Sequence, residues 1–335
     1  MTGREERKQK IENKINDMLS TRDGLYADYV ASLFSAGMQP TSVKYYLQAL
    51  MAFMDHIKND CTTESVKEIL PLNVTNYLNH IRTKTNKDGS VVPTSTSHRA
   101  TIYSALRSFF EFLFMNRIIN ENPMAYMKRP KVTDEVSQEY LTTEEMKDVF
   151  QAVRNGSGAK GKSQTHEMHL RSRDMAILRT LFELGIRCSA LTCLDVENVD
   201  LENKKIIYKD KGEKVFEKPL SDTLVESLKS WLYDRSKLDD IKTNALFVSE
   251  KKKRCSYGTI LKIVKTFTKA ATGNGMTVHK IRHSAITAVY EFNGNDIVHA
   301  AHFAGHNNVT TTQRYINSGH EEKDLDACEF LGSIA

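Results

Sequence analysis

Four stretches of the chain hold side chains suited to chemistry on a phosphodiester. His279-Lys280-Ile281-Arg282 sets a histidine and an arginine three positions apart, so on a helix both project from one face. Ala304-Gly305-His306 is followed, nine residues after the histidine, by Tyr315. Upstream lie Gly185-Ile186-Arg187 and, 24 residues past Arg187, the run Lys211-Gly212-Glu213-Lys214. A phosphodiester repels nucleophiles by its negative charge. Two guanidinium groups, Arg187 and Arg282, suit its nonbridging oxygens through charged, fork-like hydrogen bonds. His306 suits a further hydrogen bond as charge moves onto those oxygens. A phenol with a pKa of about 10 needs a base or a positive field before it attacks, and His279 is the candidate base. The departing oxygen needs a proton, which a lysine on a hairpin turn can deliver; Lys209, Lys211 and Lys214 all lie there. Taken singly, each has an ordinary reading: Arg187 as a helix-flanking charge, His306 as a hydrogen-bonded core histidine, Tyr315 as one of 13 tyrosines.

The surrounding pattern supplies elements to hold them. Met175, Leu178, Leu181, Phe182 and Leu184 recur at helical spacing and stop at Gly185, so Arg187 emerges just past a helix end. Residues 205–209 and 215–219 read as short strands around the turn Asp210-Lys211-Gly212-Glu213, with 245–248 a third candidate strand. Helical patterns run over about 221–234 and 256–271 and continue in short pieces over 279–316. Thr142 and Glu145 have capping-box spacing ahead of Met146, Val149 and Phe150, which marks the start of a second domain. The stretch from Asn155 to about Arg171 is polar and bears glycine.

The front half, residues 21–119, reads as helices. Tyr45, Leu47, Leu50, Phe53, Met54 and Ile57 line one helix after Pro40-Thr41, and Ile102, Leu106, Phe109, Phe110 and Leu113 line another over about 97–115. The cluster Thr94 to Ser97 caps the second, and its aromatic stripe reads as core. Between them, Lys84 to Ser90 has turn composition and reads as an exposed loop. Residues 120–139 hold Pro123, Pro130 and the basic trio Lys128, Arg129 and Lys131, the pattern of an interdomain linker able to track phosphates. Residues 1–20 form a charged N-terminal segment.

A length of 335 residues with 40% hydrophobic content is enough for two cores. The net charge of +5 is uneven: residues 1–130 carry 17 basic against 13 acidic side chains, which suits either a polyanion partner for the front half or simply a mildly basic protein, and charge alone does not decide between them. Five scattered cysteines without C-x-x-C spacing predict neither a disulfide framework nor a zinc site, and fit a reduced, cytoplasmic compartment. The apolar runs fall short of the roughly 18 to 20 residues of a membrane span, and Met1 to Lys14 is too charged for a signal peptide.

In order, spacing and local structure, these stretches resemble the tyrosine recombinases, the phage integrase family that includes the Xer and Cre enzymes. The resemblance spans 142–318 and, more loosely, the front half. It implies a mainly α fold with a small antiparallel β-sheet: a helical core DNA-binding domain (21–119), a linker (120–139), a mixed α/β catalytic domain (140–318) and a C-terminal tail (319–335). It assigns catalytic roles to Arg187, Lys211, His279, Arg282, His306 and the nucleophile Tyr315. The implied activity is site-specific DNA recombination through a 3′-phosphotyrosyl intermediate, in integration and excision of a mobile element or in replicon resolution. Because the tyrosyl ester conserves the energy of the broken bond, no cofactor or metal is expected. The implied partners are double-stranded DNA with paired binding sites, a homotetramer on two sites and an accessory directionality factor, on the nucleoid when DNA-bound and not at a membrane. Two rival readings are a type IB topoisomerase-like enzyme and a decayed DNA-binding regulator on the same scaffold; six retained active residues weigh against the second.

The chain departs from the family pattern at three places. Ala190 stands where R-x-S-E-L has glutamate, which removes a carboxylate expected to support the site. Ile281 replaces leucine at similar volume, and Asn317 stands where histidine often follows the tyrosine. His299, His302 and His320 fall outside the pattern and read as structural or surface residues. In the tail, Leu325, Cys328 and Leu331 give one narrow apolar side. It either folds back on its own domain or, as the resemblance implies, docks into a neighbouring subunit.

Overall fold

A computed structural model describes residues 2–61, 65–86, 88–133, 139–157, 164–210, 214–306 and 312–313. The chain divides into two compact units, Glu5–Glu135 and Val136–Ala335, and the second also takes in Met1–Arg4. It is mainly helical with two small antiparallel sheets, as the pattern predicts. Among the described residues, no helix is long and apolar enough to cross a membrane.

The first unit is built from α1 (Gly3–Leu19), α2 (Gly24–Ser35), α3 (Pro40–Cys61), α4 (Pro71–His80), the hairpin β1 (Thr83–Thr85) and β2 (Val91–Pro93), and α5 (Thr96–Met115). Helix α3 starts at the predicted proline, whose missing N–H costs nothing in a first helical turn. The Ser95 side chain accepts a hydrogen bond from the His98 N–H and caps α5. Their predicted stripes meet: Leu47, Leu50, Phe53, Ile57, Leu106, Phe109, Phe110 and Leu113 are all fully buried. Edge-on ring pairs join Tyr29 to Phe109 and Phe53 to Phe110, so the aromatics are core. Ile15 of α1 and Ile119 and Met124 beyond α5 pack into the same core. The described residues of the expected loop, Lys84 to Ser90, are exposed as read, but Lys84 and Thr85 belong to a hairpin, with Thr83 opposite Pro93. Nearly every side chain in it is exposed, so backbone pairing alone makes the strands and no apolar alternation announces them.

The second unit continues with α6 (Thr143–Asn155), α7 (Gln164–Leu184), α8 (Cys188–Leu191), β3 (Val199–Asp200), β4 (Lys205–Lys209), β5 (Val215–Pro219), α9 (Asp222–Ser236), α10 (Tyr257–Thr272), α11 (Val278–Phe292) and α12 (Ile297–Ala304). The predicted capping box is present: the Thr142 hydroxyl accepts from the Glu145 N–H and the Glu145 carboxylate accepts from the Thr142 N–H. Strands β4 and β5 occupy the predicted positions, with Tyr208 opposite Phe216, and β3 pairs on the other side of β4. Ala245 to Val248 is not the third strand. It is buried throughout and makes only single bridges, Asp195 to Ala245 and Val248 to Arg254, while the Leu246 carbonyl accepts from the Trp231 indole at 2.7 Å. An apolar run of four reads alike for strand and buried connector. Helix α7 begins at Gln164, inside the stretch read as polar and glycine-bearing, since its first turns carry no apolar stripe to mark them. Helix α11 is buried at every position from Ile281 to Thr287, so it lies in the core rather than on its surface.

Candidate active site

The site is assembled on two helix ends and on the helix that packs against both. Helix α7 stops at Gly185, whose φ of +55° and close approach to the Phe303 ring leave no room for a side chain. Helix α12 stops at Gly305 in the same way, at φ +63° against the ring of Phe216. Arg187 follows the first stop and His306 the second. Left-handed glycine therefore sets the direction in which each functional side chain leaves its helix.

Arg282 joins the two ends. It is 4% exposed in the first turns of α11, and its guanidinium donates to the carbonyl of Gly185 through Nη1 and to that of Ala304 through Nη2, the latter at 2.5 Å. Nη2 also lies 3.2 Å from His306 Nε2. Arginine has no acceptor, so Nε2 must accept and the proton sits on Nδ1, which donates to Thr312 Oγ1 at 2.8 Å. His306 is thereby a neutral ring held by its two neighbours. Burial, and then the charges of Arg282, Arg187 and His279, push its pKa down to about 4, with Asp210 opposing. His279, open to solvent at the start of α11, is also lowered, by desolvation first and then by Arg282, His283 and Arg187.

Arg187, partly exposed, reaches the β4–β5 hairpin, where its Nη1 pairs with the Asp210 carboxylate at 2.5 Å. Lys218 of β5 completes the floor. Its ammonium donates to the carbonyls of Leu184 and Phe303, each at 2.6 Å, and sits 4.0 Å over the Phe303 ring. It thus bridges the same two helix ends from the sheet side. Burial and the nearby Arg282 lower its pKa to about 7. Tyr208 is buried beneath the site with its ring stacked on Phe216, and its phenol is pushed up by burial and by Asp210.

Four of the predicted catalytic residues, Arg187, His279, Arg282 and His306, thus come together, although they span 119 positions of sequence. Lys211 and Tyr315 lie outside the described residues, as do Asn317, His320 and the tail. Lys128, Arg129 and Lys131 are exposed on the first unit; His299 and His302 are exposed on α12. Sequence reasoning missed Asp210, Lys218 and Thr312. An aspartate in a turn and a lysine in a short strand are ordinary residues there, and only the distant partners they reach mark them.

His306 gives a measurable signature. Its folded pKa is below the unfolded value of about 6.5, so the unfolded chain takes up the proton first as pH falls. The stability it contributes is present above that value and is lost as pH falls toward the folded pKa of about 4. In an NMR titration of the DNA-free protein, the His306 ring is expected to titrate near that lower value. His306→Gln is expected to flatten the fall in melting temperature across the same window. A ring midpoint at or above the unfolded value would contradict the assignment.

Arg187, Arg282 and Lys218 make this cluster positive while the contacts of Arg282 and Lys218 neutralise the helix-end carbonyls, an arrangement suited to an anionic group. Comparison with known proteins identifies the family. Residues 139–322 match the phage integrase family. The chain is similar to tyrosine recombinase XerC of Caldanaerobacter subterraneus subsp. tengcongensis, with 26% identity covering 82% of this chain and 77% of the relative. In fold it is similar to the XerH site-specific recombinase bound to palindromic difH substrate in a post-cleavage complex (TM-score 0.63, 18% identity, 86% and 78% of the two chains). It is likewise similar to a lambda integrase tetramer bound to a Holliday junction (TM-score 0.61, 16% identity, 88% and 76%). The family match takes in most of the second unit, with all four gathered residues: the chain belongs to the phage integrase family and is a site-specific tyrosine recombinase, an enzyme that cleaves and rejoins DNA.

Proposed function

We propose that the chain exchanges strands between two DNA sites by transesterification at the cluster around Arg282. Arg187 and Arg282 hold the nonbridging oxygens of the scissile phosphate. Tyr315 gives its proton to His279, and its oxygen bonds to phosphorus as the bond from phosphorus to the 5′ oxygen breaks. Lys211 supplies the proton that the 5′ oxygen takes up. The 3′-phosphotyrosyl ester is then attacked by a 5′ hydroxyl from the partner site, which reverses each transfer and releases Tyr315. The observation that carries this reading is the Arg282 guanidinium, fixed by two helix-end carbonyls and in contact with His306. A phosphate oxygen would take over the hydrogen bond from Nη2 to His306 Nε2. Its negative charge would raise the His306 pKa, so that the ring becomes a donor to the same oxygens.

The substrate in this reading is double-stranded DNA with paired binding sites, in the cytoplasm on the nucleoid, with a homotetramer spanning two sites and the tail of 319–335 docked between subunits. The tetramer on a Holliday junction formed by lambda integrase supports that assembly. Lys128, Arg129 and Lys131 contact phosphates from the linker. The biological programme is integration and excision, with an accessory directionality factor, or replicon resolution.

Lys211 provides the test, because its role differs from that of the arginines. Lys211→Ala is expected to lose about 10²- to 10⁴-fold in cleavage, the span of a general acid. A 5′-bridging phosphorothiolate, whose sulfur leaves without a proton, is expected to restore the rate. Neither Arg187→Ala nor Arg282→Ala should be rescued equally. If sulfur rescues Lys209→Ala or Lys214→Ala and leaves Lys211→Ala inactive, the acid is that other lysine.

A further inference from the structure

The carboxylate missing at position 190 has a counterpart elsewhere. Ala190 is buried at 4% exposure in α8 and offers Arg187 no acceptor. Asp210, which directly follows β4, has the same low exposure, and its carboxylate pairs with Arg187 Nη1 at 2.5 Å. The rest of Asp210 is fixed as well. Its N–H donates to the Lys214 carbonyl at 2.9 Å and closes the hairpin turn, while its carbonyl accepts from Arg4 Nη1 at 2.8 Å. A buried carboxylate needs a cationic partner, and the partner here is a guanidinium that still reaches solvent, at 30% side-chain exposure. One edge of that guanidinium is thus anchored to the hairpin while it keeps an open side.

We infer that Asp210 is a positioning residue for strand transfer: its carboxylate orients Arg187 for the scissile phosphate, and its backbone ties that guanidinium to the β4–β5 hairpin. The inference rests on the phosphate-gripping role of Arg187. It makes the two halves of the site, clamp and hairpin, move as one, and it explains how the chain functions with alanine at position 190. A planar, forked guanidinium loses much of its value when its orientation is free, whereas its charge alone survives reorientation. Loss of Asp210 should therefore slow the chemical step and spare DNA affinity.

The test is first-turnover cleavage of a nicked suicide substrate by the full chain, on which even slow cleavage accumulates as adduct. Asp210→Asn keeps the size of the side chain and removes its charge. It is expected to slow cleavage on the order of 10- to 100-fold, the usual effect of an outer orienting partner, with DNA affinity within about threefold of the parent. Asp210→Glu, which keeps the charge, is expected to lose less, and a thermal melt of each variant checks its folding. The decisive arm is a double-mutant cycle: in an Arg187→Ala background, Asp210→Asn should have no further effect, because the two act through one guanidinium. Faster cleavage by Asp210→Asn would overturn the inference and mark Asp210 as a competitor that withholds Arg187 from phosphate. Additive losses in the cycle, with Arg187→Ala itself defective, would overturn it alone. Normal cleavage by Arg187→Ala would remove the assigned role of Arg187 and this inference with it.

Discussion

Tyr315→Phe is expected to form no covalent DNA adduct while still binding its sites. Phenylalanine keeps the ring and lacks the one oxygen that can bond to phosphorus, so the loss should reach the floor of the assay, at least about 10⁴-fold. The described tyrosines offer no substitute at the cluster. Tyr208 lies within electrostatic reach of Arg187 and Arg282, but it is 6% exposed and packed on Phe216, and its phenol is shifted toward the protonated form. The measurement is denaturing electrophoresis after incubation with a suicide substrate, with a gel shift on the same protein as the control for binding. A persistent adduct in the variant would remove Tyr315 as the nucleophile.

The second large effect is expected at Arg282, which holds two helix ends and, in the proposed function, the scissile phosphate. On that proposal, Arg282→Ala should cost on the order of 10³-fold in cleavage. It also leaves the carbonyls of Gly185 and Ala304 without the donor that satisfies them inside the core. Each buried acceptor left unsatisfied costs about 1–3 kcal/mol, so a loss of roughly 2–6 kcal/mol is expected for the two. In a domain of this size that lowers the melting temperature by roughly 4–24 °C. Arg282→Lys separates the two roles: an ammonium keeps the charge but lacks the planar fork that spans both carbonyls and His306. It should recover part of the stability and little of the cleavage. Melting curves and suicide cleavage on both variants give the comparison. An unchanged melting temperature for Arg282→Ala would show that the two helix ends do not depend on its guanidinium.

Local rules, acting within a few residues, wrote much of this protein into its sequence. The apolar stripes of α3 and α5, the Thr142–Glu145 capping box, the glycine stop of α7 and the two strands around the Lys211 turn are each set by neighbours in the chain, and each is where the residues place it. The types and order of Arg187, His279, Arg282 and His306 were also legible, and the structure gathers the four in one cluster. Other features carry no local apolar signal or depend on partners distant in sequence. The hairpin at 83–93 rests on exposed backbone pairing, and Ala245 to Val248 is a connector met by Asp195, 50 positions back, and by Trp231, 15 positions back. Tertiary structure alone brought Asp210 to Arg187 across 23 positions and laid Lys218 against helix ends 34 and 85 positions away. It also set the tautomer of His306, through one neighbour that can only donate. Charge and hydrogen bonding act through space, and in an interior of low dielectric a single buried carboxylate or carbonyl decides how a functional side chain is held.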